Sequence, residues 1–182
     1  NTILAIGSEI AKLAPRVARS ILVQPVKGYS LTYETGASNN LPSYPVVDEG
    51  KHVAVVPISG KLRTVGFAEF AQYDDTLNTG IVSQLNRFTK SVYPNLVETI
   101  NNSKQLPWIG FRAISADGLP YIGETSSKGL WINTGHGHLG WTLAAGCAEI
   151  LADLITGSAT ELESSKFAIF RSNKVSSLNT RR

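Results

Sequence analysis

Asn133-Thr134-Gly135-His136-Gly137-His138-Leu139-Gly140-Trp141-Thr142 is the stretch on which the fold turns. Before it, Leu130-Trp131-Ile132-Asn133 is a compact apolar run with strand character. After it, Leu143, Cys147, Ile150, Leu151, Leu154 and Ile155 recur at helical spacing, and Gly157 stops the pattern. Gly135, Gly137 and Gly140 satisfy G-x-G-x-x-G between a strand and a helix. Such a loop lets backbone N–H groups approach an anionic or electron-rich ligand at the positive end of a helix. The alternative is a glycine-rich turn that only packs its helix closely. A complete dinucleotide fold would open a βαβ unit here, with an acid about 20 residues on. The chain left after Thr142 is too short for the strands of that fold. This loop is therefore not the pyrophosphate site of a self-contained dinucleotide domain.

Upstream, Asp117-Gly118-Leu119-Pro120 is a turn, and Gln105-Leu106-Pro107-Trp108-Ile109-Gly110-Phe111-Arg112 reads as extended. The apolar-aromatic run half-buries Arg112, and a half-buried guanidinium needs an anion. A planar carboxylate ligand matches the fork bidentately, and a distant Glu of the same chain would also satisfy it. A helix opens at Asp74-Asp75-Thr76, carries Ile81, Val82, Leu85 and Phe88, and ends at Pro94. Leu96, Val97 and Ile100 mark another short turn. Residues 21–26, 29–33, 52–57 and 61–67 are β-branched and aromatic runs separated by turn signals, which predicts a sheet of about four strands. The short link Ile58-Ser59-Gly60-Lys61 makes the last two an antiparallel hairpin. At the start, residues 2–6 read as a buried strand that meets a turn at Gly7-Ser8, followed by a short helix broken at Pro15. Phe167-Ala168-Ile169-Phe170 is strand-like.

Composition narrows the function classes. The 182 residues hold 17 Lys+Arg against 14 Asp+Glu, but residues beyond Glu163 carry a net +5 and the rest a net −2. The basicity is that of a solvated tail, so nucleic acid is not an expected partner. One cysteine, Cys147, excludes a disulfide scaffold and a cysteine-rich zinc site, and reads as a core residue. His136 and His138 lack the further ligands a metal needs. No G-x-S-x-G frame or Walker loop is present. No apolar run approaches the ~18 residues that span a bilayer, and no signal peptide is visible. The first residue is Asn1 and the chain enters an apolar stretch at once, which predicts a piece of a larger protein.

Three stretches in order resemble one family. They are Gly110-Phe111-Arg112 with Ala116-Asp117-Gly118-Leu119-Pro120-Tyr121-Ile122-Gly123, the run from Leu130 to Thr142, and Leu151-Ala152-Asp153-Leu154-Ile155-Thr156-Gly157. Together they are similar to the C-terminal part of FAD-dependent D-amino-acid dehydrogenases, in the D-amino-acid oxidase and glycine oxidase superfamily. Pro25-Val26-Lys27-Gly28-Tyr29-Ser30-Leu31 and Arg63-Thr64-Val65-Gly66-Phe67-Ala68-Glu69 resemble that family's substrate-domain strands, and Ile3-Leu4-Ala5-Ile6-Gly7-Ser8 a late strand of its FAD domain. The resemblance covers roughly residues 1–172. One departure is Arg112-Ala113, where the family usually has Arg-Pro.

The resemblance implies an α+β fold: a substrate domain with an antiparallel or mixed sheet, plus the returning strand and helix of an FAD-binding domain whose N-terminal Rossmann βαβ unit is missing. The implied parts are an FAD-domain remnant at residues 1–20, the substrate domain at 21–108, the returning segment at 109–163, and a basic tail at 164–182. Arg112 would bind the substrate carboxylate, and Tyr29 would line the substrate face. Gly7, Ser8, Gly118, Gly135, His136, Gly137, His138, Leu139, Gly140, Trp141 and Thr142 would contact FAD. The implied reaction is oxidative deamination of a D-amino acid to a 2-oxo acid and ammonia, by hydride transfer to flavin and without a strong general base. The implied partners are the absent N-terminal half and a quinone acceptor, with the protein cytoplasmic and peripheral at the inner face of the bacterial membrane. Two rivals remain open: an oxidase of glycine or a secondary amine with the same fold, and a non-catalytic fragment that binds no FAD alone.

Overall fold

The computed structural model describes residues 1–36 and 41–171. In chain order the elements are β1 (Thr2–Leu4), α1 (Ile10–Leu13), α2 (Pro15–Ala18), β2 (Val23–Glu34), β3 (Val46–Asp48), β4 (Val53–Ile58), β5 (Lys61–Glu69), α3 (Thr79–Val92), α4 (Val97–Asn102), β6 (Lys104–Ser115), β7 (Tyr121–Glu124), β8 (Leu130–Thr134) and α5 (Gly140–Thr156). Short 3-10 turns lie at Gly7–Glu9, Pro94–Leu96, Gly137–Leu139 and Ser164–Phe167. The architecture is mixed α/β with one antiparallel-rich and one mixed sheet, in line with the sequence reading. The chain divides into two compact units: Val26–Phe111 is inserted between Asn1–Pro25 and the chain from Arg112 onward.

The inserted unit carries a five-stranded sheet in the order β3-β4-β5-β2-β6. The β4–β5 hairpin closes with Ile58 opposite Lys61. Its two turn residues, Ser59 at φ 49° and Gly60 at φ 70°, take the left-handed pair of conformations that matches strand twist. Tyr29, Leu31 and Tyr33 of β2, Val53 and Val55 of β4, and Leu62 of β5 pack with Leu85 of α3, Leu96, and Ile100 of α4. Full burial of an aliphatic side chain is worth about 1.5–3 kcal/mol, so this cluster is what holds the helices on the sheet. Helix α3 starts at Thr79, later than the Asp74-Asp75-Thr76 expected from sequence. Asn78 is the cap, its Oδ1 accepting from the N–H groups of Gly80 and Ile81 at 3.0 and 3.3 Å. Asp74 is engaged elsewhere, accepting from Thr76 N at 3.0 Å and from Lys27 Nζ at 3.4 Å.

The second unit carries a three-stranded sheet in the order β1-β8-β7, with β1 parallel and β7 antiparallel to β8. Tyr121 and Ile132 face one cluster with Ile10, Ile21 and Ile169, while Ile122 faces another with Cys147, Ile150 and Leu151 of α5. The alternation of side chains along β7 thus feeds both faces. Three expectations change here. Among the described residues strand β1 is an edge with one neighbour, and Ile3 stays 49% exposed where the sequence predicted burial. Phe167-Ala168-Ile169-Phe170 is not a strand, because the chain turns through Ser164–Phe167 and drops Ile169 into the core. And one helical stretch, Gly137–Thr156, is long and apolar enough to cross a membrane by length and composition, with mean hydropathy 1.3. Its Cys147–Ile150–Leu151 side packs in the core of this unit. Of the basic stretch from residue 164, Ser164 to Arg171 fold against this unit, and residues 172–182 lie outside the described ones.

Candidate functional site

Strands β1 and β8 run parallel, with Thr2 opposite Leu130 and Leu4 opposite Ile132, so their carboxyl ends lie side by side. That is the end of a parallel sheet where ligands bind in open α/β folds. Past each strand end the chain does the same thing. It passes a left-handed glycine (Gly7 at φ 55°, Gly135 at φ 82°), makes a 3-10 turn (Gly7–Glu9, Gly137–Leu139), and enters a helix (α1, α5). The fully buried Thr134 ties the two together, its Oγ1 donating to the carbonyl of Gly7 at 2.8 Å. Gly7 and Ser8 are thereby brought to the 135–142 loop, as the sequence reading requires of a shared site.

The loop's geometry separates its glycines by task. A Cβ on Gly135 would meet Tyr121 at 3.3 Å and Ser115 and Val23 at 3.4 Å, so this glycine permits packing. Gly7 and Gly137 (φ 59°) have open space where a Cβ would stand. No side chain caps the N-terminus of α5, which begins directly after the 3-10 turn Gly137–Leu139. His136 bonds Asn133 Oδ1 at 2.9 Å, and burial lowers its pKa, which keeps it neutral near pH 7. His138, Leu139, Trp141 and Thr142 are exposed, Trp141 to 96%. Ser8 is buried at 8%.

Strand β6 reaches this loop through an antiparallel bridge between Ile114 and His136, two residues after Arg112. Arg112 is half-buried, and burial pulls its pKa down from the ordinary arginine value without approaching neutrality at pH 7. Ser115, which the sequence reading missed, sits against Gly135 with its Oγ buried and without a hydrogen-bond partner among the described residues. Gly118 lies at φ 80° in the turn that follows, held by side-chain and backbone contacts from Arg171. No group of three or more His, Cys, Asp or Glu that could hold a metal occurs among the described residues. Burial raises the thiol pKa of Cys147, in keeping with a packing role.

Tyr29 belongs to the inserted unit and differs from expectation. The alternation along β2 turns it to the helix-covered face, where it is 2% exposed in the core and its hydroxyl donates to Glu69 Oε2. The same carboxylate takes Lys27 Nζ at 3.0 Å, and Lys27, 1% exposed, also reaches Thr76 O at 3.0 Å. Burial pulls the lysine pKa down, but the Glu69, Tyr29 and Asp74 hydrogen bonds outweigh it and hold the ammonium charged. A lysine inside an apolar strand run was the signal for this network, and Glu69 is its answer on the partner strand.

Parallel strand ends with paired glycine turns, beside a strand carrying a half-buried arginine, make up the candidate site. The family model for FAD dependent oxidoreductases, DAO, matches residues 2–154, and the chain belongs to that family. It is 37% identical over 169 residues to the D-amino acid dehydrogenase of Vibrio atlanticus and 36% identical to that of Cereibacter sphaeroides. Each match covers 93% of this chain but only 40% and 38% of the relative. Among solved structures, glycine oxidase from Geobacillus kaustophilus superposes with a TM-score of 0.77 at 28% identity, over 93% of this chain and 45% of that one. L-proline dehydrogenase from P. horikoshii shares the fold, with a TM-score of 0.75 at 21% identity.

Proposed function

We propose that the chain forms the substrate-binding and flavin-ring-facing part of an enzyme that oxidatively deaminates D-amino acids to 2-oxo acids and ammonia. The observation that carries this is the pair of glycine turns at the parallel strand ends, joined by Thr134 and bridged to the strand of Arg112. The residues fit FAD. Gly7 and Gly137 leave open space, the α5 N-terminus offers N–H donors that no side chain caps, and Ser115 keeps an unpaired buried hydroxyl beside the loop. In this reading Gly7, Ser8, Gly118 and residues 135–142 hold the flavin end of FAD. The adenine end is held by polypeptide other than these 182 residues. Bound FAD supplies a two-electron acceptor.

Arg112 grips the carboxylate of the amino acid and so fixes which C–H bond faces the cofactor, a contribution of orientation. The uncapped N–H groups favour negative charge where they point, which favours the reduced state of a group seated there. The word dehydrogenase in the names of the relatives supports an acceptor other than oxygen; a membrane quinone, reached from the inner face of the bacterial membrane, is the acceptor we propose. The likeness to a glycine oxidase at 28% identity supports a second reading, an oxidase of glycine or a secondary amine.

Turnover separates them. The flavin-loaded protein should reduce an artificial acceptor with D-alanine and release ammonia with little peroxide. Stoichiometric peroxide with glycine would favour the oxidase. No absorbance between about 350 and 500 nm after FAD addition to the protein together with the polypeptide that holds the adenine end would sink both.

A further inference from the structure

Arg171 lies beyond the stretch the family model matches, and its surroundings are those of a built joint. Its side chain is 7% exposed. Nε donates to Asp117 Oδ2 at 2.7 Å and Nη2 to Asp117 Oδ1 at 2.7 Å, a bidentate pair. Nη2 also donates to Leu119 O at 2.9 Å, and Nη1 to Pro120 O at 3.0 Å and Phe167 O at 3.3 Å. A guanidinium has five N–H donors, so every one is matched. The flat face of the group lies 3.7 Å from the centroid of the Tyr121 ring.

Those contacts converge on two glycines. The carboxylate of Asp117 and the carbonyls of Leu119 and Pro120 bracket Gly118, whose φ of 80° is held by this grip, by an Asx turn, Leu119 N to Asp117 Oδ1 at 3.2 Å, and by Gly118 N donating to Ser115 O at 3.4 Å. On the other side, the Tyr121 ring that Arg171 covers is the nearest neighbour of Gly135, and its hydroxyl accepts from Leu22 N at 3.2 Å. One side chain thus sets both the turn at 117–120 and the ring on which the glycine loop rests. Lysine reproduces the charge but neither the plane nor the fork.

We infer that Arg171 is the positioning residue for the Gly118 turn and the Gly135 loop, and through them for the cofactor those turns receive. The cofactor half of this inference rests on the reading that these turns hold FAD; the positioning of the two glycines does not.

The test uses Arg171→Lys and Asp117→Asn, each first shown to be folded by circular dichroism. Amide hydrogen exchange at Gly118 and Gly135 should speed up in both. The dissociation constant for FAD, read from quenching of flavin fluorescence, should rise on the order of tenfold, with kcat at saturating FAD retained. The double variant should be no weaker than either single one, because both remove the same joint. Folded Arg171→Lys whose glycine amides exchange as slowly as the parent's overturns the inference. So does a variant that melts earlier yet binds FAD as the parent does. The FAD arm uses the protein together with the polypeptide that holds the adenine end; should that parent take up no FAD, the functional proposal fails instead, and amide exchange alone decides the role of Arg171.

Discussion

At the scale of the residue, charge does the discriminating work, and two arginines do it differently. Arg112 is half-buried on a strand that meets the glycine loop, and its proposed partner arrives with the substrate. Arg112→Ala should therefore lower kcat/KM for D-alanine by about 2–5 kcal/mol, roughly 30- to several-thousandfold. Unchanged kcat/KM would remove the carboxylate role. Arg171 pairs with the Asp117 carboxylate. Its guanidinium holds the Asp117 carboxyl below the ordinary 3.8. A lowered native pKa contributes stability above the unfolded value and loses it as the carboxyl protonates. Melting temperature should thus fall as pH drops below about 4, and Asp117→Asn should flatten that limb of the profile while lowering stability at pH 7. An equally steep limb in the variant would mean that other carboxyls set the acid response.

At the scale of the element, the glycine turns predict a graded response. Gly137→Ala meets only the cost of a left-handed backbone, about 1–2 kcal/mol, because nothing stands where its Cβ would go. Gly135→Ala bears that cost and also presses on Tyr121, Ser115 and Val23, so urea unfolding should rank it the less stable of the two. Equal stabilities would show that the Tyr121 ring moves freely. Much of this element was legible in the sequence, because strand, glycine spacing and helix are local patterns whose signals lie within one stretch. So was the Ser59-Gly60 hairpin, where only two residues could form the turn. The start of α3 was not. Asp74 and Asn78 are both good caps, and the choice falls to Asn78 while Asp74 answers a lysine 47 positions away.

At the scale of the whole molecule, what the sequence withheld was long-range. Period-2 alternation puts Tyr29 on one face of its strand, but which face is covered depends on where α3 docks, and that is a tertiary fact. Arg171 read as one more tail charge because Asp117, its partner, is 54 residues away. Family and cofactor class were readable nonetheless, since the motifs that carry them sit close along the chain. The same distances bear on how the molecule is made. The inserted unit is contiguous, Val26–Phe111, and can collapse as soon as it leaves the ribosome. Strand β1 has to wait for Leu130–Thr134 before it finds its sheet neighbour among the described residues. The parallel pair therefore closes only after the inserted unit has emerged, and the glycine turns beside it take shape later still.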